Sequence, residues 1–354
     1  MTSTANLHFT RNYTQIIKGI AIIFMIILHV GGAGATYDVP IRTLASYPII
    51  GFLHPSFKLC VGIFTFMIGY GYAFAKVKDW RYSAKHIWAL LKVFWLILLV
   101  VTIPSIIAIG GGNSLAVNGL EDFVQNLFGV SESLNWYSWF VALYIFCMII
   151  LPLLSHLLDT RPILATISLA IAFYIAEVII HSLPVWQSNK WLLSLFNNCM
   201  LMPTVLLGYY FAKQKIFQKI RIPRHWSMAL IGIILIAVAL IGYAICGSVA
   251  GFSLYVIYSP LAILGILIIF NSTKLTITTK ILTSLGNLSV YMWFMHALYF
   301  TDIVCAIYQP FILISDNIFI ITLWTILLTY ACSLILKWAV DTVVNSISKT
   351  NAVA

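Results

Sequence analysis

Lys18 and His29 are the two ionisable residues of an otherwise apolar run, Lys18-Gly-Ile-Ala-Ile-Ile-Phe-Met-Ile-Ile-Leu-His29. As a helix at about 100° per residue, the eleven steps between them make about 1,100°, or three turns plus about 20°. The two side chains therefore share one face, roughly 16 Å apart along the axis. An ionisable group inside a lipid-soluble helix is costly, which makes it a functional candidate by default. An imidazole can take a proton from a hydroxyl, attack an electrophile or pass a proton on. An ammonium can hold an anion as a point charge. Glu177, His296 and Asp302 are further ionisable residues in or beside apolar runs. Each has a plainer reading: Lys18 as a charge anchoring a span end, the histidines as hydrogen-bonded packing residues, Glu177 as a solvated span end and Asp302 as an interface residue.

The elements that must position these groups are membrane spans. Of the 354 residues, 62% are hydrophobic and 8% charged, against about 25% charged in a soluble domain. Mean hydropathy is +1.00. The pattern predicts an all-α, polytopic transmembrane helix bundle, with residues 1–354 as one integral-membrane domain. Its ten spans lie at about 16–34, 57–75, 88–109, 136–156, 162–181, 193–212, 227–246, 252–270, 281–301 and 318–338. No polar stretch is long enough to fold apart from them. Ala33-Gly34-Ala35 resembles a signal cleavage site, but the run before it is longer than a signal core, so an uncleaved first span is expected. Cys60, Cys147, Cys199, Cys246, Cys305 and Cys332 fall in or beside apolar runs without metal-ligand spacing and read as small packing residues. No metal is expected.

The net charge of +10 sits beside spans, where it has a topological cause, so no nucleic-acid partner is inferred. With the N-terminus placed in the cytoplasm, Arg42, Lys58 and Lys190 fall outside and the other seventeen of the twenty Lys and Arg residues fall inside. That asymmetry puts both termini in the cytoplasm. Trp136, Tyr137 and Trp139 fit an outer aromatic belt and Trp80 and Trp226 an inner one. Counted from the inner span ends, His29, Glu177 and His296 each lie roughly 20 Å in, a candidate polar layer in the outer half of the bilayer. The longest outer link, about Gly110 to Asn135, contains Leu120-Glu-Asp-Phe-Val-Gln-Asn-Leu-Phe128, an amphipathic stretch that reads as either an interfacial helix roofing an outward pocket or a plain loop.

Four segments resemble the membrane-bound acyltransferase 3 family. Lys18 to His29 is similar to its first-span signature, Arg, ten residues and His, with Lys18 in the place of Arg. Phe57-Lys-Leu-Cys-Val-Gly-Ile-Phe-Thr-Phe-Met-Ile-Gly-Tyr-Gly-Tyr72 resembles the family's apolar run ending in Ser-Gly-Tyr or Ser-Gly-Phe; Gly69 and Tyr70 match and Ile68 replaces the Ser. Trp139-Phe140 resembles an aromatic start to the fourth span. Asn287-Leu-Ser-Val-Tyr-Met-Trp-Phe-Met-His296 resembles a late motif ending in His. The resemblance implies a stand-alone transmembrane member without an extracellular hydrolase-like domain. It implies transfer of an acyl group, usually acetyl from cytoplasmic acetyl-CoA, to a hydroxyl of a cell-envelope glycan at the outer face.

On that reading the donor's phosphates want cations at the cytoplasmic mouth, and Lys18, Lys76, Lys78, Arg81, Lys85 and Lys92 are the candidates. The family's Arg-rich second motif is represented here only by Lys85 and Lys92. His29, His296 and Glu177 are the candidate catalytic residues, His29 as general base or as transient acyl acceptor. A reading from another class is a transporter or exporter that uses the buried His and Glu residues as a relay. No inverted repeat or matched pair of broken helices supports it. A structural scaffold would leave the Lys18–His29 alignment as coincidence.

Overall fold

The computed structural model describes residues 4–36, 48–108, 117–223, 225–249, 251–300 and 304–353. Arg42, Arg224, Asp302 and the glycine run opening the long outer link lie outside them. Lipid offers the backbone no hydrogen-bond partner, so apolar runs close their own bonds as helices, and 81% of the described residues are helical. In order these are α1 (Arg11–Thr36), α2 (Pro48–Leu53), α3 (Leu59–Ala73), α4 (Trp80–Leu96), α5 (Ile103–Ala108), α6 (Gly119–Leu127), α7 (Trp139–Thr160), α8 (Pro162–Ser182), α9 (Lys190–Lys213), α10 (Ser227–Ile245), α11 (Tyr255–Ser272), α12 (Thr276–Asn287), α13 (Ser289–Phe300), α14 (Cys305–Tyr308) and α15 (Ile318–Val353).

Among the described residues, nine helical stretches are long and apolar enough to cross a bilayer. The chain is thus an all-α polytopic bundle. One expected span differs: the run 281–301 is divided at Leu288 into α12 and α13. Gly286 and Asn287 explain the break. Glycine is a poor helix former, and an Asn side chain competes for nearby backbone groups.

The chain forms two compact units, Met1–Leu28 with Leu44–Ala84 and Leu143–Asn287, and His29–Thr43 with Lys85–Ala142 and Leu288–Ala354. In the first unit α3 packs on α9 and α11, α8 on α9, and α10 on α11. The α3–α9 crossing is set by two glycines. A Cβ at Gly69 would lie 1.8 Å from the Val205 carbonyl oxygen, and one at Gly208 would lie 2.0 Å from that of Phe66. Small residues that let backbones approach are what helix packing in lipid requires. Gly69 therefore has a packing cause. An unforeseen N-terminal strand, β1 (Thr4–Asn6), pairs antiparallel with β2 (Arg221–Pro223). It leads to Phe9, whose ring stacks on Tyr70 at 4.3 Å. A short hairpin, β3 (Ser248–Val249) and β4 (Phe252–Ser253), follows α10.

In the second unit α13 packs on α15, on the 3-10 turn Trp136–Ser138 and on the π-helical segment Ile97–Thr102. That wide turn immediately precedes Pro104. Proline cannot donate to a carbonyl in the preceding turn, and the helix widens there before resuming as α5.

Gly69→Val is expected to lower the thermal stability of the detergent-solubilised chain by about 1–3 kcal/mol, the usual cost of overpacking. A melting curve matching the wild type would show that the α3–α9 crossing is looser than 1.8 Å implies.

Candidate active site

The second unit brings together two imidazoles that lie 267 positions apart in the chain. His29, partly exposed on α1, has its ring centroid 5.1 Å from that of His296 on α13. His296 is fully buried. Its Nδ1 lies 3.3 Å from the Met292 carbonyl one turn earlier. A neutral ring donating there carries its lone pair on Nε2, and Nε2 has no hydrogen-bond partner among the described residues. Tyr137 completes the cluster. Its hydroxyl is 2.9 Å from His29 Nδ1, a hydrogen bond in which either group can donate. Its ring lies 4.3 Å from His29 and 5.0 Å from His296. Phe300, 5.9 Å from His29, adds an apolar wall.

Behind this cluster stands an aromatic frame. Trp293 Nε1 donates to the Tyr137 carbonyl at 3.1 Å, and the Trp293 ring packs on Phe140 at 4.7 Å and Trp139 at 6.1 Å. Phe94 meets Phe294 at 5.1 Å. The long link that delivers Tyr137 is strongly cross-linked. It turns at Gly129, with φ +71°, where a Cβ would lie 2.3 Å from the Ser138 carbonyl oxygen. Asn126 holds both sides of the loop: its Nδ2 donates to Ser133 Oγ at 2.8 Å and its Oδ1 accepts from Leu134 N–H at 3.0 Å. Asp122 accepts from Ser133 Oγ at 3.3 Å. The amphipathic stretch is a helix, α6, anchored at its end by Trp95 Nε1 donating to the Leu127 carbonyl at 2.7 Å.

The remaining sequence candidates belong to different surroundings. Lys18 is in the first unit, partly exposed, on the same unbroken helix as His29. Glu177 is also in the first unit, 5% exposed. It lies beneath the β3–β4 hairpin, where a Cβ at Gly251 would be 3.9 Å from its Oε1. Lys76, Arg81 and Lys85 are exposed and Lys92 is partly buried. Lys78 is committed elsewhere. Its ammonium donates to both oxygens of Asp159 at 2.9 and 3.1 Å and to the Tyr209 hydroxyl. That hydroxyl donates to Asp159 at 2.6 Å. Lys213 adds a second ion pair to Asp159 at 3.0 Å. A phosphate at Lys78 would have to compete with a carboxylate already in place. Among the described residues no three His, Cys, Asp or Glu side chains group as a metal site.

Sequence reasoning missed Asp159, Tyr209 and Trp293, and it placed Tyr137 in the interfacial belt. Tyr137 carried one usable signal: Asn135 two residues earlier is a turn-former whose side chain accepts from the Tyr137 N–H at 3.1 Å. Asp159 and Lys78, eighty-one positions apart, carried none.

Compared with known proteins, residues 11–341 match the model of the acyltransferase 3 family, described as an acyltransferase domain. No curated protein and no solved structure matches the chain significantly.

Two measurements test this geometry. Asp159→Asn and Lys78→Met should each cost about 1 kcal/mol of stability, a value held down by the pair's partial exposure, and the double variant should cost less than the two together. Strict additivity would show that the pair is uncoupled. In the link before α7, burial pushes the Glu132 carboxyl up from 4.5 to about 7. The folded state therefore holds the extra proton between those values, and stability falls as pH rises through that window. Glu132→Gln should remove the slope, raising stability at pH 8 by on the order of 2–3 kcal/mol and leaving the melt near pH 4 unchanged. A wild-type melt flat across the window would refute the burial.

Proposed function

The chain belongs to the acyltransferase 3 family and is a multi-pass membrane acyltransferase, and from that premise we propose that it moves an acyl group, acetyl in the first instance, from cytoplasmic acetyl-CoA to a hydroxyl of a cell-envelope glycan at the outer face of the cell membrane. Both termini lie in the cytoplasm on this reading, as the Lys and Arg asymmetry favours. The observation that carries it is the meeting of His29 and His296 at 5.1 Å inside an apolar frame. An imidazole set among aromatic side chains is suited to taking the proton of a hydroxyl.

In the proposed step an imidazole nitrogen of His29 removes the proton of the acceptor hydroxyl as its oxygen attacks the thioester carbonyl. The carbon–sulfur bond breaks, and the imidazolium returns the proton to the leaving CoA thiolate. One ester forms, one thioester is consumed and His29 is regenerated. His296 is too deeply buried to meet substrate in this conformation. It acts from behind, packed on the His29 ring. Lys18, eleven residues before His29 on one continuous helix, supplies a cation for the donor. Lys76, Arg81, Lys85 and Lys92 supply charge for its phosphates. Lys78 is left out of that set, because Asp159 already neutralises it. Glu177, a catalytic candidate from the sequence, lies in the first unit and takes no part in this step.

His29→Ala is expected to abolish acylation of envelope glycans, read as loss of the acyl mass increment by mass spectrometry, with normal amounts of folded protein in the membrane. Undiminished acylation in that variant would overturn the proposal. Solute flux by the purified chain without CoA retention would favour transport instead.

A further inference from the structure

Tyr137 is held in more ways than a packing residue needs. Its N–H is bound by the Asn135 side chain at 3.1 Å, its carbonyl by the Trp293 indole N–H at 3.1 Å, and its hydroxyl lies 2.9 Å from His29 Nδ1. The peptide groups on either side of it and the tip of its ring are thereby held. A belt tyrosine keeps its hydroxyl at the wet interface, whereas Tyr137 is only 7% exposed. The loop that carries it cannot drift: Gly129 packs against the Ser138 carbonyl, and Ser138 Oγ donates back to the Ser131 carbonyl at 3.2 Å.

We propose that Tyr137 is a positioning residue for His29: its phenolic oxygen accepts the Nδ1–H of His29, selects the tautomer with the lone pair on Nε2, and aims that nitrogen at the acceptor hydroxyl. The inference rests on the assignment of His29 as the base. A histidine has two nitrogens, and the partner of one decides which chemistry the other can do. A base needs the lone pair on the nitrogen that faces substrate and the proton on the other. When Nε2 takes the hydroxyl proton, the imidazolium keeps its Nδ1–H on the Tyr137 oxygen, so the ring does not turn between taking the proton and returning it. A neutral tyrosine suits a site in lipid, because a carboxylate in its place would have to be desolvated. The outer link thus acts as the mount of the base, with Trp293 coupling it to the helix that carries His296.

Tyr137→Phe removes one oxygen and keeps the ring between the two imidazoles. CoA release is followed as acetyl-CoA is varied, in inside-out vesicles of the producing cell, which contain the native acceptor. The variant should show kcat at least about tenfold lower, a fraction of the usual worth of an acid–base group. KM for acetyl-CoA should be unchanged, because no binding contact to the donor is lost. In bilayers, 15N NMR of histidine-labelled protein should report His29 with its proton on Nδ1 in the wild type and displaced toward Nε2 in the variant, the His29 signals being identified by their absence in His29→Gln. A kcat within about twofold of wild type, a loss confined to KM, or the same tautomer in both proteins each overturns the proposal. If Tyr137→Phe does not fold, Trp293→Phe frees the Tyr137 carbonyl and should lower kcat in the same direction; an unchanged rate overturns the proposal. Retained activity in His29→Gln would instead overturn the assignment of the base. A silent Tyr137→Phe beside an inactive His29→Gln would leave that assignment standing and remove only the role of Tyr137.

Discussion

Hydrocarbon supplies neither hydrogen bonds nor ion hydration, so whatever is polar within the bilayer must be satisfied by the chain itself. For the backbone this leaves helices. Local departures are then tied to particular residues: the π turn at Ile97–Thr102 comes just before Pro104, and the break at Leu288 follows Gly286 and Asn287. For helix contacts the same constraint removes the hydrophobic drive and leaves close packing. Gly69 and Gly208 meet that need by bringing two backbones together where any Cβ would collide.

The polar side chains meet the constraint in two ways. Near the ends of α7 and α9, full charges are kept and paired: Lys78 and Lys213 share Asp159, with the Tyr209 hydroxyl completing the network. In the second unit the polar groups pack against one another. A hydrogen bond joins Tyr137 to His29, and these two rings and His296 pack together beside Trp293, Phe140 and Phe300. Charged pairs brace, since their energy is lost when either partner moves. Neutral imidazoles can accept and release a proton without a permanent ion to stabilise. The two clusters therefore meet the same constraint by different means.

The link before α7 shows how an irregular segment acquires rigidity. Polar bonds cross it: Asn126 to Ser133 and Leu134, Asp122 to Ser133, Asn135 to the Tyr137 N–H. Each is short in sequence and closes a small ring. Together they bring one aromatic residue, Tyr137, against His29.

The sequence by itself determined the class of the molecule. Apolar runs of bilayer length forced helices, Lys and Arg asymmetry set an expected orientation, and the costly placement of Lys18, His29 and His296 in such runs marked them before any coordinate. The spaced motifs pointed to the family that residues 11–341 match. These features were legible because each depends on near neighbours in the chain, where helical periodicity fixes geometry. Tertiary structure alone decided the pairings. That His29 meets His296, that Tyr137 turns inward, and that Lys78 is taken by Asp159 depend on which helices adjoin and at what height. Helix packing in lipid is set by many weak contacts between distant segments, and no local periodicity encodes their sum.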